Sequence, residues 1–224
     1  MLKNETIIGN IIRTRRKTIA LVITQDAELI VRAPLKTSLS YIEKAVDKRS
    51  EWINRKIAEM RSRPKPEKRQ FIDGDKFFYL GQQYELQRIS GHSRVFIEDK
   101  LYAPEGSAKH IQLVIERWYK KRALLVISER CKLYTEIIGN EPAAVGITSA
   151  QKRWGSCGAK KKVNFSWRLI MAPIEIIDYV VAHELAHLEH LNHSKLFWDT
   201  VRSVLPDFKN RQKWLRENER LLRW

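Results

Sequence analysis

The sequence predicts an α+β fold. A β-rich N-terminal part with one helix is followed by a half built from a long helix, a small sheet, a helix carrying an HExxH motif, and C-terminal helices. Short alternating or β-branched runs are concentrated before residue 105, whereas apolar residues recur at helical spacing after it. Serine, glycine and proline lie where these segments should begin and end. We therefore expect two domains, residues 1–105 and 106–224.

The N-terminal part is expected to begin with a hairpin and to continue with a helix. Residues 19–31 contain two apolar runs around a polar turn. Ser38 or Ser40 can cap a helix that runs to about Arg61, with apolar residues at helical spacing. Residues 61–68 are charged and interrupted by proline, which predicts a linker. Short strands are expected next, at about 76–80, 84–89, 94–97 and 100–102.

A long helix is expected to open the second half, with Ser107 at its start and Gly139-Asn140 at its end. Two strands should follow at about 144–149 and 163–171, the second with apolar residues at every other position. The glycine-containing segment 152–158 between them is interpreted as a turn. Three helices are then expected, from Pro173 through the HExxH motif, from Ser194 to Leu205, and from about Asp207 to Leu222.

The stretch from His183 to His193 reads His-Glu-Leu-Ala-His-Leu-Glu-His-Leu-Asn-His. On a helix, His183 and His187 lie one turn apart on the same face, where two imidazoles can bind one metal ion. Glu184 projects from the adjacent face and can take a proton from a water molecule, and His193 can supply a third nitrogen ligand. Three protein ligands with a fourth position open are typical of catalytic Zn²⁺, whereas structural zinc usually has four. The motif therefore predicts a zinc-dependent hydrolase, with peptidase activity favoured.

One position differs from the longer HExxHxxGxxH pattern, since His190 stands where that pattern has glycine. The glycine normally lets the chain turn off the end of the helix, and Asn192 could supply a left-handed turn instead. His190 could be an alternative ligand, a hydrogen-bond donor to a ligand, a contact for an oxyanion, or an exposed histidine at a helix end.

A strand that leads towards the metal helix can also bind substrate, because a peptide can pair with an exposed strand edge. Backbone groups around Gly155, Ser156 and Asn164 are therefore candidates for substrate binding. The alternative interpretation of this region is a tight hairpin with Trp154 in the core.

The formal net charge of +16 could attract a polyanion such as nucleic acid or a nucleotide, although basic residues are spread widely and a generally basic solvated surface is the alternative. No apolar stretch has the length of a membrane span, and the N-terminus lacks a signal-peptide pattern. Two cysteines, Cys131 and Cys157, are too few for a disulfide framework. We expect a cytoplasmic protein without membrane association; its oligomeric state is not predicted.

Several segments together carry a family resemblance that extends over most of the chain. They include Arg153-Trp-Gly-Ser-Cys157, Asn164-Phe-Ser-Trp-Arg-Leu169, the segment 178–187, Asn192-His-Ser194 with Phe197-Trp198, Arg32-Ala-Pro34 and Tyr79-Leu-Gly81. This set resembles the YgjP-like metallopeptidases, which are relatives of the SprT-like and WLM minizincins. The resemblance implies a zincin-like catalytic half, His183, His187 and His193 as zinc ligands, and Glu184 as the catalytic glutamate. Related SprT-like and WLM proteases include enzymes that act on DNA-bound proteins.

Two alternatives to a simple peptidase stay open. The same metal centre could hydrolyse a phosphoanhydride bond, as a nucleoside triphosphate pyrophosphohydrolase, with Arg153, Lys160–Lys162 and Arg168 close to the motif in sequence. Neither a glycine-rich phosphate loop nor a carboxylate cluster for Mg²⁺ is evident, however. The chain could also be a nucleic-acid-associated protease or a binding protein with structural zinc, although Glu184 and the open coordination position argue against a purely structural ion.

Overall fold

A computed structural model describes residues 10–24, 26–62 and 69–222, and its fold is α+β, as the sequence predicts. By their internal contacts the residues form two compact units, Met1–Lys65 and Pro66–Trp224. The division falls in the segment interpreted as a linker, of which residues 63–68 lie outside the described residues. Leu101 and Ile111 share one hydrophobic core in the second unit. The expected domain boundary between residues 105 and 106 stays a prediction.

The first unit is a three-stranded sheet packed against two helices. Its strands are β1 (Asn10–Thr14), β2 (Ala20–Ile23) and β3 (Leu29–Pro34), and its helices are α1 (Leu39–Asp47) and α2 (Ser50–Ser62). The strand order is β1-β3-β2, with β2 antiparallel and β1 parallel to β3. The hairpin of β2 and β3 is therefore confirmed, whereas β1 was not predicted.

The single helix expected in this unit is in fact two. Ser38 caps α1, since its hydroxyl accepts a hydrogen bond from the Tyr41 N–H at 3.3 Å. At the other end, the Arg49 N–H donates to the Val46 carbonyl at 2.9 Å, in a tight turn that redirects the chain into α2. Val46 and Ile53, on either side of this turn, pack in the same core. Helical spacing of apolar residues therefore continues across the break, which conceals it in the sequence.

The second unit begins with a four-stranded sheet that leads into the long helix α3. Its strands are β4 (Lys76–Tyr79), β5 (Gln82–Ile89), β6 (Phe96–Ile97) and β7 (Leu101–Pro104), in the order β4-β5-β7-β6. Helix α3 (Ala108–Ile138) has Ser107 as its cap and ends at Gly139, whose left-handed φ of 83° suits glycine. These strands and both ends of α3 confirm the prediction.

A small sheet follows, made of β8 (Ala144–Thr148), β9 (Gly155–Cys157) and β10 (Lys162–Ser166) in the order β8-β10-β9. Two details of the prediction were wrong. Gly155–Cys157 is a strand instead of part of a turn, and β10 ends at Ser166 because Trp167–Met171 form a short 3₁₀-helix. All five residues of this helix are buried, so side chains on both sets of alternating positions face protein.

Three helices complete the unit: α4 (Ile174–Ala186), α5 (Lys195–Val204) and α6 (Phe208–Asn218). The start of α4 lies against the turn between β4 and β5, where a Cβ added to Gly81 would be 2.8 Å from Cγ of Pro173. Gly81 also has a φ of +82°, so both space and backbone conformation favour glycine there. Within the part of the chain that the structure describes, no helix is long and apolar enough to cross a membrane.

Candidate metal centre

Helix α4, which carries the HExxH motif, is fixed by burial and by one ion pair. Nearly all of its residues are buried. Arg130 of α3 donates from Nε and Nη2 to the two carboxylate oxygens of Asp178, at 2.5 and 2.8 Å. Such a two-point, charge-assisted contact restricts orientation as well as distance. The orientation of α4, and with it the direction of the His183, Glu184 and His187 side chains, is therefore fixed by residues outside the motif.

Three histidines converge at the end of α4. One ring nitrogen from each of His183, His187 and His193 lies within 4.8 Å of the others, and the Nε2 atoms of His183 and His193 are 3.1 Å apart. Tetrahedral zinc with Zn–N bonds of 2.0–2.1 Å places its nitrogen ligands about 3.3 Å apart. The three side chains singled out in the sequence are thus brought together at a spacing that suits one small ion.

The proton on His187 is assigned by its hydrogen bond. Nδ1 of His187 lies 2.9 Å from the backbone carbonyl of His190. Because a carbonyl only accepts, Nδ1 carries the hydrogen and the lone pair of Nε2 is left for a metal ion. His190 therefore contacts the cluster through its backbone. Its imidazole, 4.0 Å from a Glu189 carboxylate oxygen, is not part of the three-histidine cluster.

Burial keeps His183 neutral. It lowers the pKa of His183 to about 3, and the neighbouring charges of His187 and His193 act in the same direction. A neutral imidazole is the form that binds metal ions. Nδ1 of His183 is buried and has no hydrogen-bond partner among the described residues, which costs about 1–3 kcal/mol. Aromatic packing therefore supports this ring where a hydrogen bond to Nδ1 would otherwise hold it.

Phe197 provides much of that packing. Its ring centroid lies 4.9, 4.5 and 4.8 Å from those of His183, His187 and His193, and the side chain is completely buried. Trp198 stacks on His193 with centroids 5.6 Å apart. This support was not predicted from the sequence. A signal was available, because Ser194, a typical helix cap, directly follows His193 and is followed three and four positions later by Phe197 and Trp198.

The turn after α4 does not use a left-handed residue, so that expectation for Asn192 was wrong. In the described part of the chain, the non-glycine residues with positive φ are Ala27, Phe71, Leu80 and Lys161. The N–H groups of Leu188 and His190 instead donate to the carbonyls of Leu185 and Ala186, each at 3.0 Å. These bonds tighten the helix end without the glycine of the longer motif.

Glu184 is buried directly beneath strand β9. Only 6% of the residue is exposed, and a Cβ added to Gly155 would lie 2.5 Å from both Cγ and Oε1 of Glu184. The missing side chain at Gly155 therefore makes room for the carboxylate. Burial raises the pKa of Glu184 to about 7, while the positive charge of Arg153 acts to lower it. A carboxyl group with this pKa can accept and return a proton near neutral pH.

The residues expected to contact substrate lie in two different strands. Gly155 and Ser156 belong to β9, which is an edge of the small sheet. Asn164 lies in the central strand β10, opposite Ser156 on one side and Gly146 on the other. Its backbone groups consequently face other strands of the sheet, and its side-chain oxygen approaches Gly146. Their roles in substrate binding stay predictions.

Comparison with known proteins assigns the family. The model of the YgjP-like, metallopeptidase domain family matches residues 17–218, which is most of the chain. A solved structure that is similar is the crystal structure of the metallopeptidase zymogen of Pyrococcus abyssi abylysin. It has 22% sequence identity and a TM-score of 0.39, and the match covers 42% of this chain and 96% of that chain. The search of curated proteins found no match. Because the family match extends over nearly the whole sequence, the chain belongs to the YgjP-like metallopeptidases.

Proposed function

We propose that this protein is a zinc-dependent peptidase in which His183, His187 and His193 hold one Zn²⁺ and Glu184 transfers the protons of the reaction. The observation that carries the proposal is the convergence of three ring nitrogens within 4.8 Å, beside a buried carboxyl group. Membership of a metallopeptidase family makes peptides the substrate class.

Zinc is the ion that this donor set fits best. The cluster offers three imidazoles and no carboxylate oxygen, and the short separation of His183 from His193 suits a small tetrahedral ion. When bound, Zn²⁺ supplies Lewis acidity, which lowers the pKa of a coordinated water to about 7 and polarises a carbonyl group. The hydrogen bond from His187 to the His190 carbonyl keeps the ligand lone pair on Nε2.

Glu184 acts first as a base and then as an acid. Its carboxylate takes a proton from the attacking water and later delivers that proton to the departing amine. The pKa of about 7 that burial produces in the metal-free protein allows transfer in both directions near neutral pH. Gly155 leaves the space in which the carboxylate can stay close to β9.

Strand β9 positions the peptide. Its outer edge has no strand partner among the described residues, so a substrate can add to the sheet as a further strand. Gly155 and Ser156 would supply backbone hydrogen bonds, with Gly155 next to Glu184. Asn164 lies one strand further from this edge, with its side-chain oxygen towards Gly146, so Gly155 and Ser156 are the main substrate contacts in the proposal.

The decisive assay compares zinc-loaded wild type with Glu184→Gln on an unfolded protein and on a nucleoside triphosphate. The proposal predicts that the wild type cleaves peptide bonds and that the variant retains zinc but loses cleavage.

The alternative, a pyrophosphohydrolase, is supported by the proximity of Arg153 to Glu184, since an arginine can bind phosphate. Release of pyrophosphate that depends on Glu184, without any proteolysis, would establish that alternative.

A further inference from the structure

A groove between α5 and α6 opens beside the histidine cluster. Its volume is about 490 Å³, and its lining includes Lys195, Trp198, Asp199, Arg202, Phe208 and Lys209. We call it the α5–α6 groove. It is large enough to receive one long side chain of a peptide.

Trp198 forms a wall between this groove and the metal centre. Its ring stacks on Phe208 with centroids 5.2 Å apart and an interplanar angle of 19°. The same ring stacks on His193 at 5.6 Å and lies 5.9 Å from His183. A ligand in the groove is therefore separated from the histidine cluster by one indole ring. The 5.6 Å between the Trp198 and His193 centroids equals about two residues of an extended peptide, at a strand rise of about 3.3 Å per residue.

The groove combines an aromatic floor with uncompensated positive charge. Arg202 is paired with Asp199 at 2.8 Å, so these two charges offset each other. Lys195 and Lys209 are exposed, and neither forms an ion pair with any residue that the structure describes. Two ammonium groups consequently line the groove together with Trp198 and Phe208, and the Arg202 guanidinium lies over the Phe208 ring at 5.9 Å.

We propose that the α5–α6 groove binds an acidic side chain of the peptide substrate, close to the bond that is cleaved. The methylene groups of a glutamate would lie on the aromatic floor, and its carboxylate would pair with Lys195 or Lys209. This inference rests on the proposed peptidase function and adds a preference in its substrates. The preference would come from Lys195 and Lys209, and not from the overall positive charge of the protein surface.

The test uses quenched fluorescent peptides that differ at one position within two residues of the cleaved bond, where they carry glutamate, glutamine or lysine. The wild type should have a kcat/KM about 3- to 10-fold higher for the glutamate peptide than for the glutamine peptide, which is the range that one or two exposed ion pairs provide. The double variant Lys195→Glu/Lys209→Glu should reverse this preference, with a higher kcat/KM for the lysine peptide than for the glutamate peptide.

Lys213→Glu is the matched control, because Lys213 is an exposed lysine of α6 that does not line the groove. It should leave the order of the three peptides as in wild type. Each peptide is also prepared with a free and with an amidated C-terminus. A preference that follows only the free terminus would overturn the inference, because the groove would then recognise a chain end.

Failure of this inference can be distinguished from failure of the proposed function. Equal cleavage of the glutamate and glutamine peptides by the wild type would refute the acidic preference and leave the peptidase intact. If no peptide is cleaved, the proposed function fails. Fluorescence anisotropy of the same labelled peptides on the zinc-loaded protein then tests the groove. Tighter binding of the glutamate peptide, lost in the double variant, would support it, and equal Kd values would overturn it.

Discussion

Gly155→Ala is the substitution that tests most specifically whether the position of Glu184 matters. The new Cβ would lie 2.5 Å from Cγ and Oε1 of Glu184 and 2.7 Å from its Cδ, whereas ordinary contacts are 3.4–4 Å. The carboxylate must therefore move by about 1 Å. A misplacement of this size at a reacting group can lower the rate about 100-fold. Gly155 does not have a positive φ, so alanine imposes no backbone strain there.

The predicted result is a loss of about 100-fold in kcat, with little change in KM and with zinc bound in the wild-type ratio. Peptide cleavage and bound zinc would be measured on the same preparation. The crowding itself should cost about 1–3 kcal/mol of stability, which thermal unfolding would detect. Gly158→Ala is the matched control, because its Cβ would meet only the Lys162 carbonyl at 3.7 Å. A Gly155→Ala enzyme with normal kcat would refute the role of β9 in positioning Glu184.

Three further predictions concern the helix and the metal centre. In metal-free protein, the raised pKa of Glu184 (from 4.5 to about 7) stabilises the fold below pH 4.5, and that stability is lost as pH rises through 7. Relative to Glu184→Gln, the free energy of unfolding of wild type should therefore fall by about 3 kcal/mol between pH 4.5 and 7, measured by urea denaturation with a chelator. Asp178→Ala should lower the free energy of unfolding by about 2–4 kcal/mol, because it leaves Arg130 unpaired. His193→Ala should weaken zinc binding more than about 100-fold, whereas His190→Ala should bind zinc like wild type because it retains the carbonyl.

A different result would contradict each of these three predictions. A difference between wild type and Glu184→Gln that does not change with pH would mean that the carboxyl group titrates normally. Asp207→Ala removes a more exposed ion pair, with Arg211, and should cost less than about 1 kcal/mol. Equal losses for Asp178→Ala and Asp207→Ala would argue against a special role for the buried pair. Weak zinc binding in His190→Ala together with normal binding in His193→Ala would exchange their assignments.

The sequence predicted those elements whose ends are determined locally. Helix α3 runs between Ser107 and Gly139 because a serine hydroxyl can cap the first turn and glycine can adopt the left-handed conformation at the last. The two histidines of HExxH share a helix face for the same local reason, the helical repeat. Each of these inferences depends only on residues that are neighbours in the chain.

The features that were missed depend on distant residues. Residues 167–171 alternate like a strand, yet they form a 3₁₀-helix whose Ile170 and Met171 carbonyls accept hydrogen bonds from Leu80 and Gly81. Gly155 became interpretable only once its contact with Glu184 was known. Likewise, the contact between the His190 carbonyl and His187 requires the shape of the helix end, which the identity of residue 190 does not specify.

The measurement that tests the central claim most directly is peptide cleavage as a function of added zinc, in metal-free wild type and in Glu184→Gln. The proposed centre predicts that wild-type activity rises until one zinc ion is bound per chain, and that the variant binds the same amount of zinc without cleaving. Cleavage that persists in Glu184→Gln, or that does not depend on zinc, would contradict a peptidase built on these three histidines and this glutamate.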